Sequence, residues 1–313
     1  MKFKILISAP YMQSAIERFR NIFEERDIDL IIPVVNERLE EKELLDLIND
    51  IDGVISGDDK FTEKVLRSAK KLKVISKWGT GIDSIDTATC RKLGIRVCNT
   101  PNAFSEPVAD SVMGYILCFA RNIHSMDRNM RKGNWEKIPC RSLRECTLGV
   151  IGVGNVGKAV VRRAVAFRIR ILGNDIIEIP QKFIEETGIE MVTKRVLVSH
   201  SDFISLNCDL NPSSYHMIDD YMFSYCNHNA YIINTARGPI IDNQSLIKAL
   251  QDKVIAGAAL DVYEEEPLPL ESPLLEMENV LLSPHNANSS PEAWEKVHLN
   301  TINNLLDALE PSL

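Results

Sequence analysis

No pair among the seven cysteines has C-x-x-C spacing. That leaves structural zinc and thioredoxin-like redox sites without support, and no metal site is expected. Long apolar runs are missing too. Uncharged stretches such as Ser111 to Ala120 and Cys146 to Gly157 fall short of the roughly 20 residues that a membrane-spanning helix needs. A surplus of positive charge is also absent: 36 Lys and Arg stand against 44 Asp and Glu, a formal net charge of −8. This balance argues against nucleic acid and anionic membrane surfaces as partners, while leaving room for a local basic pocket. There is no internal repeat and no low-complexity tract, which excludes solenoid arrays and wholly disordered chains. Lys2 and Lys4 precede only Ile5-Leu6-Ile7, too short for the apolar stretch of a secretory signal. With an odd number of cysteines, the expectation is reduced thiols in a cytoplasm.

What the sequence does have is alternation. Its 313 residues, 45% apolar, are enough to bury a core without disulfide or metal staples and favour two domains. Short apolar runs recur at Phe3–Ser8, Asp29–Ile32, Gly53–Ser56, Lys73–Ser76 and Ile95–Cys98. Between most of them lie charged stretches of helical period, such as Met12 to Arg26 and Leu39 to Ile48. A second block runs Thr147–Val153, Arg170–Gly173, Phe203–Leu206, Tyr231–Asn234, Ala256–Leu260 and Val280–Leu282. Such alternation implies α/β architecture, with parallel sheets covered on both faces. Val108 to Ala120 is apolar nearly all round and reads as a buried helix. A last helix should open at Pro291 with Ser290 as its cap.

The run Gly152-Val153-Gly154-Asn155-Val156-Gly157 is a G-x-G-x-x-G, with an apolar strand before it and a helical pattern after it. Gly152 permits a tight turn, Gly154 lets backbone approach a pyrophosphate, and Gly157 lets helix pack on strand. The N–H groups opening that helix then face the phosphates. Asp175 follows the next strand, about 20 residues beyond the first glycine, where a carboxylate meets the ribose hydroxyls of NAD. A carboxylate there repels a 2′-phosphate, so the expected cofactor is NAD rather than NADP.

Three polar residues follow later apolar runs. Arg237 comes after Tyr231–Ala236, Glu266 closes the acidic turn after Ala256–Leu260, and His285 follows Val280–Pro284. Open α/β sheets place ligands at the carboxyl ends of their strands. An arginine, a carboxylate and a histidine together suit the reduction of a 2-oxo acid. The guanidinium can hold a carboxylate or carbonyl in fork geometry. An imidazolium can donate a proton to the carbonyl oxygen, and a carboxylate beside the ring favours the charged form. Taken singly, each has an ordinary alternative: a turn arginine, a solvated acidic loop, a surface histidine. The other five histidines, His124, His200, His216, His228 and His298, lack this setting and read as structural or solvent-facing.

Several ordered segments resemble the D-isomer-specific 2-hydroxyacid dehydrogenase family, with the phosphoglycerate dehydrogenase-like branch the nearest. They are Gly79-Thr80-Gly81-Ile82-Asp83, Asn99-Thr100-Pro101-Asn102, the Gly-rich loop, Asn234-Thr235-Ala236-Arg237-Gly238, Gly257–Val262 and Ser283-Pro284-His285. The resemblance implies a Rossmann NAD-binding domain (100–287) inserted in a flavodoxin-like substrate domain (1–99 plus 288–313). Both are doubly wound parallel-sheet domains. It implies an NAD-dependent enzyme interconverting a D-2-hydroxy acid and a 2-oxo acid, with Arg237, Glu266 and His285 catalytic. Asn155 and Val156 match the pyrophosphate-facing pair. Thr80, Cys208, Thr235, Ala236 and Asp261 match other cofactor contacts. Lys77, Trp78, Gly79 and Thr80 match a loop that binds the substrate carboxylate. A homodimer is implied, with Val108 to Trp135 as its arm. Ser56 stands where the phosphoglycerate enzymes commonly have an arginine, leaving Lys77 as the remaining cation, and Trp78 replaces a smaller residue. A second implied reading is an NAD(H)-sensing binding module of the corepressor type.

Overall fold

The computed structural model describes residues 3–309; residues 1–2 and 310–313 of the expected first domain lie outside it. The chain divides into two compact units, Met1–Phe104 with Ser290–Leu313, and Ser105–Ser289. The expected divisions at 99 and 287 lie a few residues before these. Both units are α/β.

Unit one is built on five parallel strands: β1 (Phe3–Ile7), β2 (Ile28–Ile31), β3 (Gly53–Ser56), β4 (Val74–Lys77) and β5 (Arg96–Cys98). Their order is β2-β1-β3-β4-β5, the flavodoxin-like winding. The central strands are apolar without alternation because both faces are covered. One face carries Leu44, Val65 and Leu66 from the helices Glu41–Leu47 and Glu63–Ser68, with Ile48 from the 3-10 turn Ile48–Asp50. The last helix, Pro291–Leu309, packs on β3 and β4, burying Val297, Ile302 and Leu305. Its opening is as expected: Ser290 Oγ accepts from the Ala293 N–H at 3.4 Å. The expected helix Met12 to Arg26 is instead three pieces, Pro10–Ala15, a 3-10 turn Ile16–Phe19, and Arg20–Glu24.

Unit two holds seven parallel strands: β6 (Thr147–Ile151), β7 (Arg170–Asn174), β8 (Glu190–Met191), β9 (Phe203–Leu206), β10 (Tyr231–Asn234), β11 (Gly257–Leu260) and β12 (Val280–Leu282). Their order is β12-β11-β10-β9-β6-β7-β8, the Rossmann winding with one strand added. One core lies under the helices Ser105–Arg121 and Asn155–Ala166, the other under Lys194–His200 and Asn243–Gln251. Among the described residues no helix is long and apolar enough to cross a membrane.

Candidate active site

Because every strand of unit two is parallel, their carboxyl ends share one edge. The loops there carry, in spatial order, His285 (after β12), Glu266 (β11), Arg237 (β10), Cys208 (β9), the Gly-rich loop (β6) and Asp175 (β7). The winding reverses between β9 and β6, where such sheets open a ligand crevice.

Gly152 sits at φ +86°, the left-handed region that favours glycine, and a Cβ there would lie 2.7 Å from the Cys208 backbone nitrogen. The loop is thus pressed against the turn after β9. Gly157 packs back onto it, a Cβ at that position falling 2.0 Å from the Gly152 carbonyl oxygen. Gly154 differs: a Cβ there would meet nothing within 4 Å, so it borders open space. Asn155 and Val156 begin the helix Asn155–Ala166, whose first N–H groups have no intrahelical acceptor. Asp175 ties the loop down. Its Oδ2 accepts the Val153 N–H at 2.6 Å and its Oδ1 the Ile177 N–H at 3.1 Å. Burial pushes the Cys208 thiol up to about 11, so it is an uncharged wall rather than a nucleophile at neutral pH. Thr235 Oγ1 is buried without a hydrogen-bond partner.

At the other end of the edge, His285 Nδ1 lies 2.9 Å from Glu266 Oε2. The other carboxylate oxygen, Oε1, accepts the Tyr263 N–H at 2.9 Å, so the carboxylate is fixed at both ends. His285 is itself held at φ +50°, off the usual backbone range for a side chain of its size. Asp261 sustains that shape. It is 1% exposed. Its carboxylate accepts the N–H groups of Asn286 (2.8 Å) and Ala287 (2.9 Å) and the Ser283 hydroxyl. Its carbonyl takes the His285 N–H at 2.8 Å. Tyr263 closes the frame, its hydroxyl 2.9 Å from the Ser283 carbonyl.

Arg237 leaves β10 through a turn built by Asn234, whose side chain accepts the Ala236 N–H and donates to the Arg237 carbonyl. The guanidinium donates to the Ala236 carbonyl at 2.8 Å. Gly238 is pressed so closely on the next loop that a Cβ would fall 1.9 Å from the Tyr263 carbonyl carbon. The loops carrying Arg237 and Glu266 are therefore packed backbone to backbone.

The expected residues of unit one sit differently. Lys77 is buried, and its ammonium donates to the Gly57 carbonyl at 2.7 Å and to Asp58 Oδ1 at 2.8 Å. The remaining cation is held by internal partners. Trp78 is 4% exposed. Its backbone N–H goes to the Ser56 carbonyl and its indole N–H to His298 Nδ1 at 3.0 Å. The ring packs among Tyr11, Phe104 and Trp294. Gly79 gives its carbonyl to the Thr100 N–H, and the Thr80 hydroxyl, on an exposed residue, donates to the Thr100 carbonyl at 3.1 Å.

Comparison with known proteins decides the family. The model for "D-isomer specific 2-hydroxyacid dehydrogenase, NAD binding domain" matches residues 113–287. The chain belongs to the D-isomer specific 2-hydroxyacid dehydrogenase family. A glyoxylate reductase of Korarchaeum cryptofilum is 36% identical over 273 residues, 85% of this chain and 82% of the relative. A D-3-phosphoglycerate dehydrogenase of Methanocaldococcus jannaschii is 38% identical over 294 residues, 93% of this chain but 54% of that longer protein. Among solved structures, the Aquifex aeolicus D-lactate dehydrogenase complexed with NAD and lactic acid superposes with a TM-score of 0.88 at 26% identity, covering 97% of this chain and 94% of that one. As a member of this family the chain is an NAD-dependent oxidoreductase that interconverts a 2-hydroxy acid and a 2-oxo acid. These comparisons lend no support to the binding-module alternative.

The cofactor's fit to this 2-hydroxyacid dehydrogenase rests on three observations. Open space beside Gly154 leaves room for a pyrophosphate. Asp175 presents a carboxylate at the end of β7. The unpartnered Thr235 hydroxyl is a buried group that lacks an acceptor or donor. Sequence reasoning missed the framework behind these groups. Tyr263 and Ser283 act through hydrogen bonds to partners 20 and 22 residues away, and no local pattern marks them. His216 also escaped, because its partners lie in other loops.

Proposed function

We propose that this enzyme reduces small, unphosphorylated 2-oxo acids, with glyoxylate and hydroxypyruvate as the leading candidates. The observation that carries the reading is the Glu266–His285 pair at 2.9 Å on neighbouring strand ends, beside Arg237. Glu266 orients the ring through Nδ1, which directs Nε2 toward a reacting oxygen. Arg237 holds the substrate carboxylate or polarises its carbonyl. Bound NAD supplies or accepts the hydride. The residues holding it are Gly152, Gly154, Asn155, Val156, Gly157 and Asp175, with Cys208, Thr235, Ala236 and Asp261 along the same edge and Thr80 from unit one. Lys77, Trp78, Gly79 and Thr80 form the substrate loop of unit one, acting through backbone and shape. The preference against a phosphate follows from Lys77, whose charge is balanced by Asp58.

The same reading includes a cytoplasmic homodimer. The segment Val108 to Trp135 supports the dimer. Its helix Ile123–Arg131 has no buried residue, and Ile123, Met130 and Trp135 leave apolar surface exposed. Light scattering checks this, and a monomer at micromolar concentration removes it. The activity is tested by NADH oxidation against glyoxylate, hydroxypyruvate, pyruvate, 2-oxoglutarate and phosphohydroxypyruvate, with NADPH as control. Turnover of the small acids and poor turnover of the phosphorylated one is the expected result. A clear preference for phosphohydroxypyruvate overturns it.

A further inference from the structure

His216 lies outside the set above, yet it joins two of its loops. Its Nε2 contacts Glu264 Oε1, in the turn Tyr263–Glu266 whose first N–H fixes Glu266. Its Nδ1 is 3.5 Å from Asp242 Oδ1, where the chain leaves the turn that follows Arg237. Asp242 is in turn fixed, accepting the Ser245 N–H at 2.8 Å as the cap of the helix Asn243–Gln251. The His216 backbone N–H donates to the Pro239 carbonyl at 2.8 Å, and Ile218 and Asp242 continue the pairing through Ile240 and Ile218. The ring is stacked on Tyr215 at 4.0 Å between centroids, and the residue sits at φ +47°, a conformation held only when its surroundings demand it. Two carboxylates and a stacked ring thus hold the imidazole, and a main-chain carbonyl holds its backbone, between the Arg237 and Glu266 loops.

We propose that His216 is a positioning residue for the reaction: it ties the turn after Arg237 to the turn carrying Glu266, and so keeps the Glu266–His285 pair in register. The proposal rests on the reading of Arg237, Glu266 and His285 as the catalytic set. The Gly-rich loop and Asp175 have no part in this tie, so its loss acts on turnover and not on cofactor affinity. A shift of about 1 Å in a catalytic group costs up to roughly 100-fold in rate.

The test uses the full chain with His216→Ala, His216→Asn, Glu264→Ala and the double variant His216→Ala/Glu264→Ala, with His285→Ala alongside. Asn tolerates the left-handed backbone but is too short to reach Glu264, so it separates lost contact from lost fold. His216→Asn is expected to keep the wild-type melting temperature and NADH dissociation constant and to lower kcat about tenfold or more with KM little changed. Glu264→Ala should lower kcat similarly, and the double variant no further, because both remove one tie. Wild-type kcat in His216→Asn, or full additivity in the double variant, overturns the proposal while an inactive His285→Ala leaves the catalytic reading standing. An active His285→Ala overturns that reading instead.

Discussion

The two sheets have the same construction and opposite habits at their carboxyl ends. In unit two the polar side chains are clamped by main-chain groups: Glu266 by the Tyr263 N–H, Asp261 by Asn286 and Ala287, Asp175 by Val153 and Ile177. Each carboxylate is aimed by backbone that cannot easily move. In unit one the charged side chains face each other or the core. Lys77 meets Asp58, and Asp59, 0% exposed, accepts the Ser8 hydroxyl and the N–H groups of Leu39 and Gly57. Burial pushes the Asp59 carboxyl up, against those hydrogen bonds. The lesson is that a parallel sheet offers an edge, and only the wiring of its loops makes that edge chemical. One loop set presents charge, the other consumes it.

The largest effect that would break this contrast is at His285. His285→Ala should lower kcat by about 100- to 10,000-fold, the usual worth of a general acid, with NADH affinity measured by fluorescence titration unchanged. Retained turnover would mean the clamped edge is structural. Asp175→Ala comes next. It removes the acceptor of the Val153 and Ile177 N–H groups and, on the proposed reading, of the ribose hydroxyls. Hydrogen bonds to a carboxylate are worth roughly 1.5–3 kcal/mol each, so NADH should bind at least tenfold more weakly while NADPH gains relative to it. Equal losses for both cofactors would remove Asp175 from cofactor choice. In unit one, Asp58→Asn releases the Lys77 charge and should raise phosphohydroxypyruvate turnover several-fold relative to hydroxypyruvate. No change in that ratio would show that Lys77 does not bear on the substrate.

The smallest effect is one of stability and pH. Burial holds His298 below its usual range, and its Nδ1 accepts from Trp78, which requires that nitrogen unprotonated. Its folded pKa is depressed, so its contribution to stability is present above the unfolded value near 6.5 and is lost as pH falls below that. The melting temperature should therefore drop on acidification from pH 7 to 5, by less in His298→Gln. A parallel decline in both proteins would assign the effect to other groups. Trp78→Phe leaves the His298 acceptor unsatisfied and should cost about 1–3 kcal/mol, read as a lower denaturant midpoint at pH 7.

Much of this was legible from the residues. Buried parallel strands are unbroken apolar runs, so every long strand announced itself, and the Gly-rich loop is local chemistry read in order. The two-residue β8 did not show, because Glu190–Met191 at a sheet edge has no periodicity to read. Met12 to Arg26 has one apolar face with Ile16, Phe19 and Phe23, yet a 3-10 turn interrupts it, since that face follows the packing and not an ideal helix. The family resemblance located Lys77 and Trp78 but not their partners. Asp58 and His298 lie 19 and 220 residues away, and nothing in a linear pattern says which of several acids or histidines a buried group will meet.

The tie between β4 and the last helix has a consequence for the order in which the chain takes shape. The Ser76 hydroxyl donates to the Thr301 carbonyl and Trp78 to His298, across 225 and 220 residues. During synthesis at about 5–20 residues per second, all of unit two leaves the ribosome before Pro291–Leu309 can cover β3 and β4. The strands of unit one must wait, one apolar face uncovered, for on the order of ten seconds or more. This nascent half is where a holding chaperone should bind. Ribosome-stalled chains ending before residue 290 should show it, and released chains should not.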